Sequence, residues 1–112
     1  MPTKYEDYGN VCVVSPDADF AGEMTQEVRR VAEERIEQRA IADFVIDFEK
    51  VDFMDSEGLE TLLWIKRKCE DRFGQIKLVK LDENCRKILE ITRLEHRFES
   101  HGDLAGALKT MR

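Results

Sequence analysis

A strand pattern followed by a helix pattern, with one serine between them, constrains this fold more than any other feature. Phe44-Val45-Ile46-Asp47-Phe48 is a short run rich in β-branched and aromatic residues, which is typical of a central strand buried on both faces. Leu59, Leu62 and Leu63 then recur at helical spacing. The polar turn between the two patterns holds Ser56, so its hydroxyl is predicted to lie at the N-terminus of a helix.

Strand and helix patterns alternate along the rest of the chain. Gly9-Asn10 is a tight-turn signal and predicts an opening β-hairpin. The predicted strands are Tyr5–Tyr8, Val11–Val14, Phe44–Phe48, Ile76–Leu81 and a short edge strand at Arg97-Phe98-Glu99. The first two predicted helices run from about Phe20 to Arg39 and from Leu59 to about Arg72. A third helix is predicted to begin at a cap formed by Asp82 or Asn84, and a fourth at a cap formed by Asp103. Gly74 is expected to stop the second helix. This order predicts an α/β fold: a mixed, mainly parallel sheet of about four to five strands with about four helices and an N-terminal hairpin.

Size and charge narrow the class of protein. The 112 residues fit one domain, residues 1–112, and 42% apolar residues suffice for a core. No apolar run approaches the roughly 20 residues that span a bilayer, and the N-terminus lacks the pattern of a signal peptide. We therefore expect a soluble cytoplasmic protein with no membrane partner. The net charge of −6 argues against nucleic acid as a partner, because such binding depends on neutralising phosphates with Lys and Arg.

The residue types that usually bind metals are scattered. Cys12, Cys69 and Cys85 are far apart and form no C-x-x-C pair, so we expect reduced thiols in core positions. His96 and His101 have no cysteine nearby, which argues against a zinc site. The acidic residues between positions 43 and 55 lack the spacing of a calcium loop, and capping or solvent exposure accounts for them. Neither a metal site nor a cofactor is predicted.

The chemistry of Ser56 admits three roles. The hydroxyl can cap the helix together with Asp55, a contribution of about 0.5–2 kcal/mol. It can instead be exposed and accept a phosphate, whose charge the helix dipole favours. As a nucleophile it would need a base within hydrogen-bond reach, for which His96 and His101 are candidates by elimination only. The first glycine of the G-x-S-x-G elbow is missing, so no catalytic residue is predicted.

Residues 52–59, Asp-Phe-Met-Asp-Ser-Glu-Gly-Leu, resemble the signature of STAS domains, in particular of the bacterial anti-sigma factor antagonists. In that family a strand leads into Phe-Met-Asp-Ser-Ser/Thr-Gly-Leu, and the first serine after the aspartate is phosphorylated; here that serine is Ser56. The resemblance implies a partner that is both anti-sigma factor and ATP-dependent serine kinase. The dephosphorylated antagonist would bind it and free the sigma factor. A metal-dependent serine phosphatase would reset the switch, and ATP and Mg²⁺ would belong to the kinase.

The resemblance also implies a partner-binding surface around the serine. Its expected members are Asp55, Ser56, Glu57, Gly58 and Leu59. Gly58 is expected to let the backbone of the kinase approach closely, since it has no side chain.

Three points stay open at this stage. Glu57 stands where the family usually has Ser or Thr, and the loop of residues 15–20 also departs from the family pattern, so the identity of the partner and the efficiency of phosphorylation are undecided. Trp64 is expected to pack in the core or at its rim, with an interface anchor as the alternative. The runner-up function is a STAS-like interaction module that is never phosphorylated, for example an accessory subunit of a stress-signalling or transport complex.

Overall fold

A computed structural model describes residues 3–111 of the chain. The strands are β1 (Lys4–Tyr8), β2 (Val11–Ser15), β3 (Asp43–Asp47), β4 (Ile76–Val79) and β5 (Glu99–His101). The helices are α1 (Glu23–Arg39), α2 (Ser56–Glu70), α3 (Glu83–Ile91) and α4 (Leu104–Lys109), with a short 3-10 helix at Glu95–Arg97. The five strands form one sheet in the order β1-β2-β3-β4-β5. β1 and β2 are antiparallel and the other neighbouring pairs are parallel, which confirms the predicted mixed α/β fold with its N-terminal hairpin.

Both faces of the central strands β2, β3 and β4 are covered, as the apolar run in β3 predicts. Phe44 and Ile46 pack into the core that α1, α2 and α3 form on one face. Val45 points to the other face, where it packs with Val79 and with Ala107 of α4. Neighbouring side chains of a strand point to opposite faces, so a strand covered on both faces shows no polar alternation. The turn that holds Ser56 therefore follows the central strand of the sheet, which is covered on both faces, whereas the edge strands β1 and β5 are mostly exposed.

Helix α1 begins at Glu23, three residues later than predicted. Phe20, which the helical pattern had included, is buried and forms a parallel bridge with Met54. Gly22 occupies the N-cap with φ of 56°, a left-handed conformation that glycine adopts at little cost. The chain turns at Gly22 because the residues before it are held against the segment that precedes α2.

The end of α2 also differs from the predicted glycine stop. Phe73, and not Gly74, adopts the left-handed conformation, with φ of 62°. The N–H of Gly74 donates to the carbonyl oxygen of Cys69 at 2.7 Å, which satisfies one of the last carbonyls of the helix. A Cβ on Gly74 would lie 2.0 Å from the carbonyl oxygen of Ala42. Glycine is required here because two backbone segments touch.

A buried lysine connects α4 to the sheet. All four residues of β4 are buried, although the sequence predicted one better-buried face. Lys77 is 1% exposed, and its Nζ lies 2.9 Å from a carboxylate oxygen of Glu99 and 3.3 Å from the carbonyl oxygen of Ala107. The ammonium also donates to the hydroxyl of Thr110. The aliphatic part of Lys77 fills space beneath α4, and its charge is paired with Glu99 on the edge strand β5. This strand begins at Glu99, two residues later than predicted.

Two predicted helix caps are confirmed. The carboxylate of Asp82 accepts a hydrogen bond from the N–H of Cys85 at 2.8 Å, which decides between the two candidates for the cap of α3. The carboxylate of Asp103 accepts from the N–H of Gly106 at 2.7 Å. In each case the carboxylate lies at the N-terminus of the helix, where negative charge is favoured.

The cysteines are buried and unpaired, as predicted for thiols in core positions. Loss of solvent on burial raises the pKa of Cys12, Cys69 and Cys85 to about 12 each. The reactive form of a cysteine is the thiolate, so these side chains act as small apolar groups.

Candidate functional site

Ser56 is the first residue of α2 and is exposed. Asp55, directly before it, is the N-cap, and its carboxylate accepts a hydrogen bond from the N–H of Gly58 at 2.9 Å. The N–H of Leu59 donates to the carbonyl oxygen of Asp55 at 3.0 Å and closes the first turn. The sequence had left the cap to Asp55 and Ser56 together, whereas in the structure Asp55 supplies it. The hydroxyl of Ser56 is thus placed at a helix N-terminus on the surface.

A second loop, remote in sequence, braces this turn. The N–H of Phe20 donates to the carbonyl oxygen of Phe53 at 2.9 Å, and the N–H of Asp55 donates to the carbonyl oxygen of Phe20 at 3.4 Å. The N–H of Asp52 donates to the carboxylate of Asp19 at 3.2 Å. These bonds tie the segment before α2 to the loop between β2 and α1. The turn is therefore held both by its own helix cap and by this second loop.

The structure gives a different reason for a glycine at position 58 from the one that the sequence suggested. It is buried, and a Cβ on it would lie 2.3 Å from the carbonyl oxygen of Phe20 and 3.1 Å from the Cβ of Met54. The space that the missing side chain leaves is occupied by the chain's own backbone. The bracing loop therefore accounts for a glycine at this position, whereas close approach of a kinase at Gly58 stays a prediction.

The surface around Ser56 is acidic. Asp19, Asp52 and Glu57 are exposed and Asp55 is partly buried, while the ammonium of Lys50 is 3.5 Å from a carboxylate oxygen of Asp17. Leu59 is partly buried and packs against the core. Of the predicted surface residues, Ser56 and Glu57 are exposed, Asp55 and Leu59 are partly buried, and Gly58 is buried.

Phe53 is a surface residue that the sequence analysis did not include. It is 48% exposed, while its neighbour Met54 is 1% exposed. Adjacent side chains of an extended segment point in opposite directions, so the bridge that Met54 makes with Phe20 turns Phe53 outward. Hydropathy alone assigns both residues to the core. The signal that separates them is the pairing of Met54, which a single sequence does not reveal.

The other polar residues that the sequence raised have structural partners. Asp43 accepts from the N–H of Gln75 and Asp47 from the N–H of Glu49, both at 2.9 Å, so each of these acids holds the backbone of a connecting segment. The ring of His101 is 2.7 Å from a carboxylate oxygen of Glu99. Within residues 3–111, no three His, Cys, Asp or Glu side chains come together in a group that could hold a metal ion.

Trp64 packs at the rim of the core, as predicted. It is partly buried against the main apolar cluster. The guanidinium of Arg29 on α1 lies 4.3 Å from the ring centroid, and the ammonium of Lys68 lies 5.7 Å from it. Cation–π contacts of this kind contribute about 0.5–1 kcal/mol at exposed sites. Trp64 therefore links α1 to α2.

None of the helices that the model describes combines the length and the apolar character needed to cross a bilayer.

Fold and turn together define a class of protein: a small, mainly parallel α/β domain that opens with a hairpin and presents a serine at the first position of the helix after its central strand. A family model for the STAS domain matches residues 3–107. The chain belongs to the STAS domain family, which the resemblance of residues 52–59 had indicated.

Solved structures with few identical residues share this fold. A Thermotoga maritima protein provisionally assigned as an anti-sigma factor antagonist has a TM-score of 0.90 at 16% identity, covering 98% of this chain and 94% of that one. An anti-sigma factor antagonist from Mycobacterium paratuberculosis has a TM-score of 0.79 at 25% identity, covering 98% and 92%. The phosphorylated form of the Bacillus cell fate determinant SpoIIAA has a TM-score of 0.77 at 21% identity, covering 98% and 99%. No curated protein matches the chain.

Proposed function

We propose that this chain is an anti-sigma factor antagonist, a protein-binding switch controlled by phosphorylation of Ser56 in the bacterial cytoplasm. Its dephosphorylated form binds an anti-sigma factor that is also a serine kinase, and so frees the sigma factor. Phosphorylation releases the kinase, a serine phosphatase restores the first state, and the chain itself catalyses no reaction. One observation carries the proposal: Asp55 caps α2 and leaves the exposed Ser56 beside it available for modification.

A phosphate on Ser56 is compatible with the fold. It adds about −1.5 to −2 charges at pH 7, at the N-terminus of a 15-residue helix whose dipole favours an anion there. The bond between Asp55 and Gly58 does not use the serine hydroxyl. Glu57 is exposed, so water and salt screen its repulsion. We therefore expect the domain to stay folded after modification.

The same phosphate opposes docking. A kinase has to bring the γ-phosphate of ATP in line with the hydroxyl of Ser56. After transfer, the phosphoserine would face the remaining phosphates of ADP within an interface from which water is largely excluded. Like charges repel more strongly there than in bulk water. Affinity falls while the fold persists, which is the behaviour of a switch.

The proposed partner-binding surface consists of Asp55, Ser56, Glu57 and Leu59, with Gly58 shaping the turn from beneath. Glu57 adds a fixed negative charge next to the acceptor. In the dephosphorylated chain this charge reproduces part of the repulsion that the phosphate would add in full. The dephosphorylated chain is therefore expected to bind the kinase more weakly than it would with a neutral side chain at this position.

Phosphorylation by an anti-sigma factor of the serine-kinase type, with ATP and Mg²⁺, tests the proposal. Wild type is expected to gain the mass of one phosphate and Ser56→Ala to gain none. Ser100→Ala removes another exposed serine and is the matched control, expected to react like wild type. Ser56→Ala is expected to keep its free energy of unfolding within about 0.5 kcal/mol of wild type, because it changes an exposed residue outside the cap.

Binding to the same kinase with ADP supplies the second measurement. The phosphorylated chain and Ser56→Glu are expected to bind at least about tenfold more weakly than unmodified wild type, a difference of about 1.4 kcal/mol. Phosphate uptake by Ser56→Ala would refute the assignment of the acceptor. A wild-type chain that binds its partner and never takes up phosphate would favour the module that is not phosphorylated.

A further inference from the structure

Phe53 is an exposed aromatic side chain three residues before Ser56. It is 48% exposed, although burial of a phenylalanine would stabilise the fold. Single exposed apolar residues are ordinary on protein surfaces, so exposure alone indicates nothing. What distinguishes Phe53 is how its backbone is held and which groups surround it.

The backbone at Phe53 is fixed on both sides. Its carbonyl oxygen accepts the hydrogen bond from the N–H of Phe20 at 2.9 Å. The N–H of the preceding residue, Asp52, donates to the carboxylate of Asp19 at 3.2 Å, and the following residue, Met54, is buried. Only side-chain torsions of Phe53 remain to be ordered on binding. A rigid aromatic group loses little conformational entropy when it is buried in an interface, and such groups are typical binding hot spots.

Acidic residues lie on the bonded segments next to Phe53. Asp19 and Asp52 are exposed on the two bonded loops. The one lysine in the segment before α2, Lys50, is already paired with Asp17. An apolar centre within a polar rim is the usual anatomy of a protein interface. Here the exposed charged residues at the bond between the two loops, Asp19 and Asp52, are both acidic, which favours a partner with the opposite sign.

We infer that Phe53 is the anchor of the docking surface and inserts into an apolar pocket of the partner that is rimmed by Arg or Lys side chains. The inference rests on the proposed function, since it takes the anti-sigma kinase as the partner. It adds a binding hot spot and the chemistry of the surface opposite. Ser56 then decides release, while Phe53 and the acids beside it decide which partner is bound.

Replacement of Phe53 by alanine tests the anchor, with Phe73→Ala as matched control. Phe73 is 100% exposed at the end of α2 away from Ser56, so the two variants remove the same side chain from opposite ends of one helix. Affinity for the kinase with ADP is expected to fall by about 30-fold or more for Phe53→Ala and to stay unchanged for Phe73→Ala. Phe53→Leu is expected to recover part of the affinity. With excess kinase, Phe53→Ala is still phosphorylated at Ser56 at the wild-type maximal rate, so the defect lies in KM.

The charged rim has its own test. Asp52→Asn is expected to lower the association rate with the kinase and to reduce the dependence of that rate on salt, because rim charges steer encounter. Asp71→Asn, which neutralises an exposed acid at the far end of α2, is the control and is expected to change neither.

The outcomes separate the two levels of the proposal. A wild type that is bound and phosphorylated while Phe53→Ala binds like Phe73→Ala overturns the anchor and leaves the switch standing. A higher association rate for Asp52→Asn overturns the basic rim. A wild type that no kinase of this class binds or phosphorylates overturns the proposed function and the anchor with it. The melting temperature of each variant identifies any change that comes from unfolding.

Discussion

Replacing Gly58 with alanine separates the bracing of the turn from the chemistry of the serine. The new Cβ would lie 2.3 Å from the carbonyl oxygen of Phe20, where ordinary contact begins at 3.4 Å. The two backbones would have to separate by about 1.1 Å, the difference between those two distances. That shift acts directly on the bonds that join Phe20 to Phe53 and Asp55, which are 2.9 and 3.4 Å long.

Three terms set the size of the effect. Forcing a methyl group into a filled space costs about 1–3 kcal/mol. Weakening two backbone hydrogen bonds adds up to about 1 kcal/mol each. Alanine in place of glycine in a helix returns about 1 kcal/mol. We therefore expect Gly58→Ala to lower the free energy of unfolding by about 2 kcal/mol, which corresponds to a fall in Tm of about 8 °C for a domain of this size.

Urea unfolding followed by circular dichroism measures the change, with Gly102→Ala as the control. Gly102 is exposed, and no atom lies within 4 Å of a Cβ built on it, so this substitution is expected to change stability by less than about 1 kcal/mol. Gly58→Ala should also accelerate hydrogen exchange at the amide of Phe20. A Gly58→Ala variant as stable as Gly102→Ala would refute the claim that this glycine exists for a backbone contact.

Other substitutions test other parts of the fold and site. Lys77→Ala is expected to lower the free energy of unfolding by about 2 kcal/mol, since it leaves a cavity beneath α4, whereas Lys77→Met should cost about 1 kcal/mol or less; urea unfolding of both variants checks this. Glu57→Thr is expected to raise the rate of phosphorylation at limiting kinase concentration, and an unchanged or lower rate would show that the fixed charge does not oppose docking. The cysteines, with thiol pKa values of about 12, should resist a thiol reagent at pH 8 until the chain unfolds. Because these pKa values are raised on folding, the stability that the thiols contribute is complete below a pH of about 8.5 and is lost as the pH rises toward 12.

Much of the fold could be predicted because its signals are local. The hairpin follows from Gly9-Asn10, the central strand from its apolar run, and the caps of α3 and α4 from aspartates directly before helical patterns. Each of these features depends on residues within a few positions of one another. The order of elements then selects the topology, because parallel strands need crossover helices.

Features that depend on contacts between distant residues could not be predicted in the same way. Phe20 fits the helical pattern of α1, yet its pairing with Met54 removes it from the helix. Gly74 looks like a helix stop, yet a contact with Ala42 explains it. A lysine in an alternating strand is expected to have an exposed side chain, yet α4 packs over Lys77 and buries it. In each case the sequence does not reveal which distant residue the folded chain places in contact.

The site also combines local features with contacts between distant residues, and this bears on how the proposed switch would work. Ser56 and Asp55 were recognisable from eight consecutive residues, whereas the bracing by Phe20 and the outward turn of Phe53 depend on a loop more than thirty positions earlier. That bracing has a consequence for phosphorylation. Three contacts hold the turn: Asp55 caps the helix, the backbone is bonded to Phe20, and Gly58 touches the same loop. We therefore expect the backbone of the turn to keep its conformation. A phosphate on Ser56 would then change the charge and bulk of the surface while its shape stays the same, so partner release would follow from electrostatics at a fixed geometry.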